Sequence, residues 1–327
     1  MKRREFIAGL GGAAVAWPLA ARAQQPGKTW RIGVLETVSP DLNAKNIEAL
    51  KRGLRELGYV ENQNYLLEYR SADGDGERFP AFADELVRLR VDLIVTRGTP
   101  AARAAKSATE SIPVVMAAIG EPLGTGVVAS LARPGGNVTG LSGFVTELAG
   151  KRVELLKELR PGNTVAAFFS NMANPVVPPQ WEETRKAAQA LGIDVSLLDV
   201  RSRDDIPAAF ETAVARGVEA LLVGIEAVVQ ANRQLIADLA AKHRLLSIYP
   251  SREFVEAGGL VAYGVNYPDL YFRSASLIDK IFRGAKPGDL PVEQPTKLEF
   301  IVNLRAAKAI GLTVPPLLIA RADEVIE

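Results

Sequence analysis

Short apolar runs alternate with amphipathic segments along most of this chain. Residues 30–35 form a mostly apolar run that is typical of a buried parallel strand, and residues 46–57 carry apolar side chains at helical spacing up to Gly58. The same unit then repeats, with strands predicted at 65–69, 91–95, 113–117 and 138–141 and helices predicted at 79–89, 100–109 and 126–132. This alternation predicts a parallel sheet with helices on both faces.

A second run of the same kind begins with an amphipathic segment at 147–159. Its strands are predicted at 165–169, 194–200, 220–223, 246–249, 260–263 and 297–303, and its helices at 179–191, 206–216, 228–242 and 270–282. Two such runs predict an α/β protein with two Rossmann-like, doubly wound lobes joined by a hinge, with a ligand cleft between the lobes. Crossings are expected near 142–144, 264–268 and 286–295, which gives a lobe I of residues 28–142 and about 267–290, and a lobe II of residues 143–266 and about 291–327.

Residues 1–23 have the order of segments found in an export signal. A basic tip that includes Arg3 and Arg4 precedes a weakly apolar stretch, and a small-residue cleavage site ends at Ala23. The twin arginines followed by Phe6 resemble a twin-arginine signal. We therefore expect a signal peptide and export to the periplasm, with an ordinary amphipathic N-terminal helix as the alternative. Because the chain has no cysteine to carry a lipid anchor, we expect a soluble protein that is not a lipoprotein.

Charge and composition exclude several classes of function. Beyond residue 23 the chain holds 35 Lys and Arg against 37 Asp and Glu, so it has no basic surplus for nucleic acid. It has no cysteine and one histidine, His243, which argues against a zinc or copper site and against a Ser-His-Asp triad. The segment 140–144 is not a nucleophile elbow, because Phe144 stands where that motif requires glycine. We expect no enzymatic activity, no cofactor and no metal.

Several motifs are similar to those of a known family. They are 96–100 (TRGTP), 133–140 (RPGGNVTG), 290–297 (LPVEQPTK) and parts of the C-terminal segment 303–324. Together they resemble the TrpX-like ABC-transporter substrate-binding proteins, which are type I periplasmic binding proteins related to tryptophan and phenylalanine binders. The resemblance covers nearly the whole chain beyond the signal. It implies two lobes that close around one small molecule and then dock onto a membrane permease, but it does not name a ligand.

The first candidate ligand site lies where the predicted strand 91–95 turns into a helix. Gly98, Thr99 and Pro100 open that helix, so its free N–H groups and its dipole would bind a carboxylate. The hydroxyl groups of Thr96 and Thr99 are further donors. The alternative is that Thr99 serves as the N-cap, and both roles can hold at once.

Turns after other predicted strands supply further candidates. Ala118 and Glu121 lie in the turn after the next strand, where the Glu121 side chain could face the cleft or solvent. Asn171 and Asn174 are common turn residues, and the resemblance implies that their loop lines the cleft. Glu226 ends a strand of the second lobe, where its carboxylate could bind a ligand ammonium group.

Tyr249 and Asn266 complete the set of expected ligand contacts, because both lie at strand ends. The Tyr249 ring could stack on a flat ligand, with Phe144 at the rim of the cleft, although tyrosine is also a routine half-buried residue. A carboxylate site on one lobe and an acidic group on the other favour an amino acid or a related aromatic carboxylate as the ligand.

These expectations describe the solute-binding component of an ABC importer that works by hinge closure. We expect a periplasmic monomer whose partners are a small-molecule ligand and an inner-membrane permease, with no nucleic acid. A ligand-sensing subunit that serves a receptor and a periplasmic hydrolase are the alternatives. A regulator of the LacI type is disfavoured by the export signal and by the missing basic DNA-binding module.

Overall fold

The computed structural model describes residues 28–143 and 145–327. The expected signal peptide, residues 1–23, and Phe144 lie outside the described residues. Within those two ranges, no helix combines the length and the apolar character needed to cross a bilayer.

The first sheet has five parallel strands in the order β2-β1-β3-β4-β5. The strands are β1 (Trp30–Glu36), β2 (Tyr65–Ser71), β3 (Leu93–Arg97), β4 (Val114–Ile119) and β5 (Val138–Ser142), and the crossover helices are α1 (Ala44–Glu56), α2 (Phe79–Arg88) and α3 (Thr99–Ala108). Every residue of β3, β4 and β5 is buried. The continuous apolar sequence of β4 and the apolar run that begins β3 follow from this position, because a parallel strand between two helix layers has no face in water.

The second sheet has seven strands in the order β12-β11-β10-β9-β8-β6-β7, and only the pair of β10 and β11 is antiparallel among the described strands. Its strands are β6 (Thr164–Ser170), β7 (Ile193–Asp199), β8 (Ala220–Val223), β9 (Leu246–Tyr249), β10 (Val261–Val265), β11 (Leu298–Asn303) and β12 (Glu324–Ile326). The helices in this part of the chain are α4 (Glu147–Leu159), α5 (Val177–Ala190), α6 (Asp205–Ala215), α7 (Ala227–Ala231), α8 (Arg233–Lys242), α9 (Arg252–Glu256), α10 (Tyr267–Phe282), α11 (Leu304–Ile310) and α12 (Pro316–Arg321).

Helix α10 follows a strand of the second sheet but packs in the first lobe. Its buried residues Leu270, Tyr271 and Leu277 belong to the apolar core formed with the first sheet and α1. The two helices approach closely at Gly53, where a Cβ atom would lie 2.5 Å from the carbonyl oxygen of Phe272. The first lobe is therefore assembled from two separate parts of the chain.

The described chain passes between the two lobes three times: after β5, between β10 and α10, and before β11. The third passage lies within the expected segment 286–295, but lobe II resumes later than about 291. Leu141 of β5 forms an isolated bridge with Glu293, and Val292 is buried in a core of the first lobe. Residues 291–293 therefore pack with lobe I, which moves the proposed return to lobe II from about 291 to a point after Glu293. The other lobe boundaries remain predictions.

The predicted α/β fold with two lobes is confirmed, whereas two predicted helices differ. Residues 122–132 form turns instead of the helix predicted at 126–132, and Gly126 has a φ of +69° with its N–H donating to the Leu123 carbonyl. The helix predicted at 228–242 is divided into α7 and α8 at Asn232, whose side-chain nitrogen donates to the Val228 carbonyl over 2.8 Å. Helix α9 and strand β12 are too short for a hydrophobic period to reveal.

Candidate functional site

Loops that follow strands of both sheets enclose a small cavity between the lobes, here called the inner cavity, with a volume of about 40 Å³. Lobe I contributes Thr37, residues 97–100, residues 118–120 and Tyr267, and lobe II contributes Val145, Asn174, Val176, residues 225–227 and Gln230. Gly143 lies at the first passage between the lobes and also lines the cavity. A wider groove of about 960 Å³, here called the outer groove, shares Pro100, Asn174, Glu226 and Ala227 with it. Ligands of open α/β sheets bind at this end of the strands, so the inner cavity is the candidate site.

The N-terminus of α3 forms the lobe I wall of the inner cavity. Gly98 has a φ of +83° and its N–H donates to the Ala118 carbonyl over 2.8 Å, so this glycine makes the turn from β3 into the helix. Gly98, and not Thr99, occupies the N-cap position, so the alternative that Thr99 acts as the N-cap is wrong. The Thr99 hydroxyl instead donates to the Gly120 carbonyl over 2.8 Å, which joins the turn after β3 to the turn after β4. The unpaired first-turn N–H groups of α3 give this wall a positive electrostatic potential.

Thr37 places a further hydroxyl group beside this helix terminus. Its Oγ1 atom is buried without a hydrogen-bond partner among the described residues, and its Cγ2 methyl lies 3.3 Å from the place of a Cβ on Gly98. A buried hydroxyl without a partner is uncommon in proteins, because its desolvation is not compensated. Sequence reasoning missed Thr37, which follows β1 directly. Its position one residue beyond a buried parallel strand is the signal that could have identified it.

Glu226 forms the lobe II wall of the inner cavity. It is the N-cap of α7, with Oε1 accepting from the Val229 N–H over 2.6 Å, and only 6% of the residue is exposed. Burial raises the pKa of the Glu226 carboxyl to about 8, against the lowering effect of N–H groups in α7 and of the Asn171 side chain. Among the described residues, no lysine or arginine nitrogen lies within 4 Å of this carboxyl. The cavity therefore presents an acidic group that lacks a cation.

The two asparagines occupy different parts of the site. Asn174 lines both the inner cavity and the outer groove, whereas Asn171 lines the groove alone. Their Oδ1 atoms accept the N–H groups of Val176 and Ala173, so each asparagine also stabilises the turn after β6. The expectation of turn chemistry is confirmed for both residues.

Six of the expected contact residues line the inner cavity: Gly98, Thr99, Pro100, Ala118, Asn174 and Glu226. Five others do not: Thr96, Glu121, Asn171, Tyr249 and Asn266. The expectation that the Tyr249 ring faces a ligand is wrong, because this side chain is fully buried in lobe II and stacks on Phe254 at 4.9 Å. Asn266 is the N-cap of α10 and donates to Glu299, so its amide is used in the hinge.

Arg97 is the charged residue of the inner cavity that sequence reasoning missed. It ends the buried strand β3, is 4% exposed, and donates through both terminal nitrogens to the Glu253 carboxylate over 3.1 Å. Burial opposes its charge, but Glu253 together with Tyr271, Tyr267 and Glu36 outweighs burial, and these groups hold the pKa of Arg97 well above its usual range. Burial also acts to raise the pKa of Glu253, and the charge and hydrogen bonds of Arg97 bring it down to about 2. A charged residue at the end of an otherwise apolar strand is the signal that could have identified Arg97 as a site residue.

Comparison with known proteins assigns the family. Residues 31–326 match the family described as ABC transporter substrate binding protein. This chain belongs to that family. As a substrate-binding protein with the two-lobed type I periplasmic binding fold, it is a binding component and not an enzyme.

Three relatives show how far the similarity extends within the family. A crystal structure of the ABC domain in complex with L-Trp from Streptococcus pneumonia is 30% identical, with a TM-score of 0.82 over 91% of this chain and 100% of that chain. A conserved domain protein from Vibrio cholerae is 27% identical, with a TM-score of 0.85 over 91% and 100% of the two chains. A tyrosine-binding protein of Clostridioides difficile (strain R20291) is 25% identical over 285 residues, which are 87% of this chain and 82% of that protein.

Proposed function

We propose that this substrate-binding protein captures an amino acid, or a related aromatic carboxylate, in the cleft formed by the inner cavity and the adjoining outer groove, and delivers it to an ABC permease in the inner membrane. The lobes close around the ligand by bending at the three passages between them, and the permease recognises the closed form. The expected export signal supports a periplasmic location for this activity. Relatives named for tyrosine binding or solved with L-Trp support an amino acid ligand.

An amino acid is a zwitterion, and one observation supports a zwitterionic ligand. The two lobes suit groups of opposite charge at the same cavity. The α3 terminus on lobe I, with the Thr37 hydroxyl beside it, suits a carboxylate. Glu226 on lobe II suits an ammonium group, which would provide the cation that this buried carboxyl lacks. A ligand that bridges both walls binds the closed form better than the open form, and this difference in affinity drives closure.

The side chains that line the inner cavity offer little aromatic surface on which a ligand ring could stack. Tyr267 is the aromatic side chain among the described lining residues, while Val145, Val176 and Ile225 form an apolar wall on lobe II. An apolar wall opposite a helix terminus is suited to the side chain of an amino acid, because burial of apolar surface adds affinity while the polar groups fix orientation.

A thermal-shift screen tests the proposal directly. Amino acids, aromatic acids, short peptides and sugars are added to the purified protein, and a ligand at a hundred times its Kd is expected to add about 2.7 kcal/mol of stability. The Glu226→Gln variant should lose most of the shift given by the best amino acid. Glu121→Gln is the matched control, because Glu121 lies outside the inner cavity. Stabilisation by sugars alone would contradict the proposal.

A further inference from the structure

The Arg97 side chain reaches from the first lobe into the second. It leaves the end of β3 in lobe I and forms two hydrogen bonds with Glu253 on α9 in lobe II, Nη1 to Oε1 and Nη2 to Oε2, each of 3.1 Å. The pair is largely removed from solvent, with side chains 5% and 13% exposed. Parallel hydrogen bonds of this kind fix the relative orientation of the two groups as well as their distance.

The Glu253 carboxylate is bound by donors from both lobes. Beside Arg97, lobe I supplies the Asn46 amide, which donates to Oε1 over 3.0 Å. Lobe II supplies Gln230 and Ser251, which donate to Oε2 over 2.7 and 2.9 Å. All of these donors are side chains of the protein itself. The closed arrangement therefore satisfies this buried carboxylate without any contribution from a ligand.

Arg97 is also held from its own lobe in a way that connects it to the inner cavity. Its guanidinium lies over the Tyr267 ring, 4.1 Å from the centroid, and Nη1 also approaches the Asn43 side-chain oxygen at 3.3 Å. Tyr267 is the first residue of α10, directly after the second passage between the lobes, and it lines the inner cavity. The ion pair thus fixes a wall of the cavity at the hinge.

We propose that Arg97 and Glu253 are positioning residues that close the two lobes over the inner cavity before a ligand is bound. Opening would hydrate both charges, but it would break the paired hydrogen bonds of Arg97 and the hydrogen bond from Asn46. These contacts offset the lost hydration when the lobes close, so the pair selects the closed geometry in the ligand-free protein. The ligand then binds a form that is already populated, and its apparent affinity rises with the closed fraction. This inference rests on the hinge closure of the proposed function, but it does not depend on the identity of the ligand.

A second ion pair across the cleft provides a matched comparison. Lys45 of lobe I lies 2.7 Å from Glu256 of lobe II, one helical turn from Glu253, but the Lys45 side chain is 71% exposed. An exposed pair contributes little, because water and salt screen it. Removing one partner of a buried pair instead leaves the other charge without compensation. Comparison of a Glu253 variant with a Glu256 variant therefore separates the effect of burial from the effect of charge at the same interface.

The test is a distance measurement between spin labels on the full protein without added ligand. Because the chain has no cysteine, Ser107→Cys on lobe I and Asp204→Cys on lobe II, two exposed positions on the outer groove, give a specifically labelled pair. The parent protein should show a closed population with a short distance. Adding Glu253→Gln should lower the ratio of closed to open molecules at least tenfold, and Glu256→Gln should leave it unchanged.

Two results would overturn the inference: a ligand-free parent that is fully open, or a Glu253→Gln variant with the distance distribution of the parent. Circular dichroism and cooperative unfolding establish that the variant is folded. If Glu253→Gln does not fold, the Arg97→Lys variant takes its place, because lysine keeps the charge but loses the paired hydrogen bonds. A distance distribution equal to that of the parent would again overturn the inference. The labels report closure without ligand, so failure of the amino acid screen would leave this result standing.

Discussion

Gly120 of lobe I lies so close to Val176 of lobe II that a Cβ atom at Gly120 would be 2.5 Å from the Val176 Cγ2 atom. The same Cβ would lie 2.9 Å from Cγ2 of Val145, which also belongs to lobe II. Both valines line the inner cavity. The absence of a side chain at position 120 therefore allows the turn after β4 to meet the apolar wall of the other lobe.

Gly120→Ala should hinder closure. The added methyl group overlaps both valines, so we expect ligand affinity to fall about tenfold or more while each lobe keeps its fold. Small-angle scattering with saturating ligand should show a larger radius for the variant than for the parent. Gly124→Ala is the control, because its Cβ would meet its nearest neighbour at an ordinary 3.8 Å. Equal compaction of both variants would contradict this role.

Thr37 and Thr99 should differ in what their hydroxyl groups do. Thr99→Val leaves the Gly120 carbonyl without its donor, so the free energy of unfolding should fall by about 1–3 kcal/mol. Thr37→Val removes a buried hydroxyl that has no partner among the described residues, so stability should be unchanged or higher. Ligand affinity should nevertheless fall if Thr37 donates to the ligand. Denaturant unfolding and calorimetric binding measure the two effects. Unchanged affinity in Thr37→Val would remove Thr37 from the site.

Glu36 should make stability depend on pH. This residue of β1 is fully buried, and burial raises the pKa of its carboxyl to about 7, against the lowering effects of Arg97 and of the Tyr271 hydroxyl. The folded protein therefore binds more protons than the unfolded chain between pH 4.5 and 7, and stability declines as the pH rises through that window. Glu253, whose pKa is lowered to about 2, adds no slope there, because its contribution is lost only as the pH falls below about 4.5.

Replacing Glu36 by glutamine should remove this part of the pH dependence. Between pH 5 and pH 8 the free energy of unfolding of the parent should fall by on the order of 2–3 kcal/mol more than that of Glu36→Gln. Urea unfolding at the two pH values measures the difference. The same decline in both proteins would show that another group, such as Glu226, is responsible.

The hydrophobic pattern carried most of the information about the fold, because parallel strands buried on both faces have continuous apolar sequences. It failed where local turn chemistry decides, as at Gly126, and in a helix of five residues, α9, which is too short to show a helical period. That failure mattered for the site, since α9 carries Glu253.

The candidate site was predicted only in part, for a physical reason. Strand ends could be located from the sequence, and Gly98, Thr99 and Glu226 follow from them. The direction in which a side chain points at a strand end could not be predicted in the same way. Tyr249 ends β9 but points into the core of lobe II, whereas Arg97 ends β3 and crosses to the other lobe. Contacts between the lobes form only when the two lobes come together, and such contacts produce no periodic pattern in the sequence.

The most direct test of the central claim compares one amino acid with two analogues by titration calorimetry. L-Tyrosine, N-acetyl-L-tyrosine and L-tyrosinamide differ in the ammonium group and in the carboxylate, which are assigned to Glu226 and to the α3 terminus. If the amino acid screen selects another member, its own N-acetyl and amide derivatives replace these. We predict that each analogue binds at least a hundredfold more weakly than the free amino acid, and that Glu226→Gln reduces the penalty of N-acetylation. Equal affinity for the amino acid and both analogues would contradict the account.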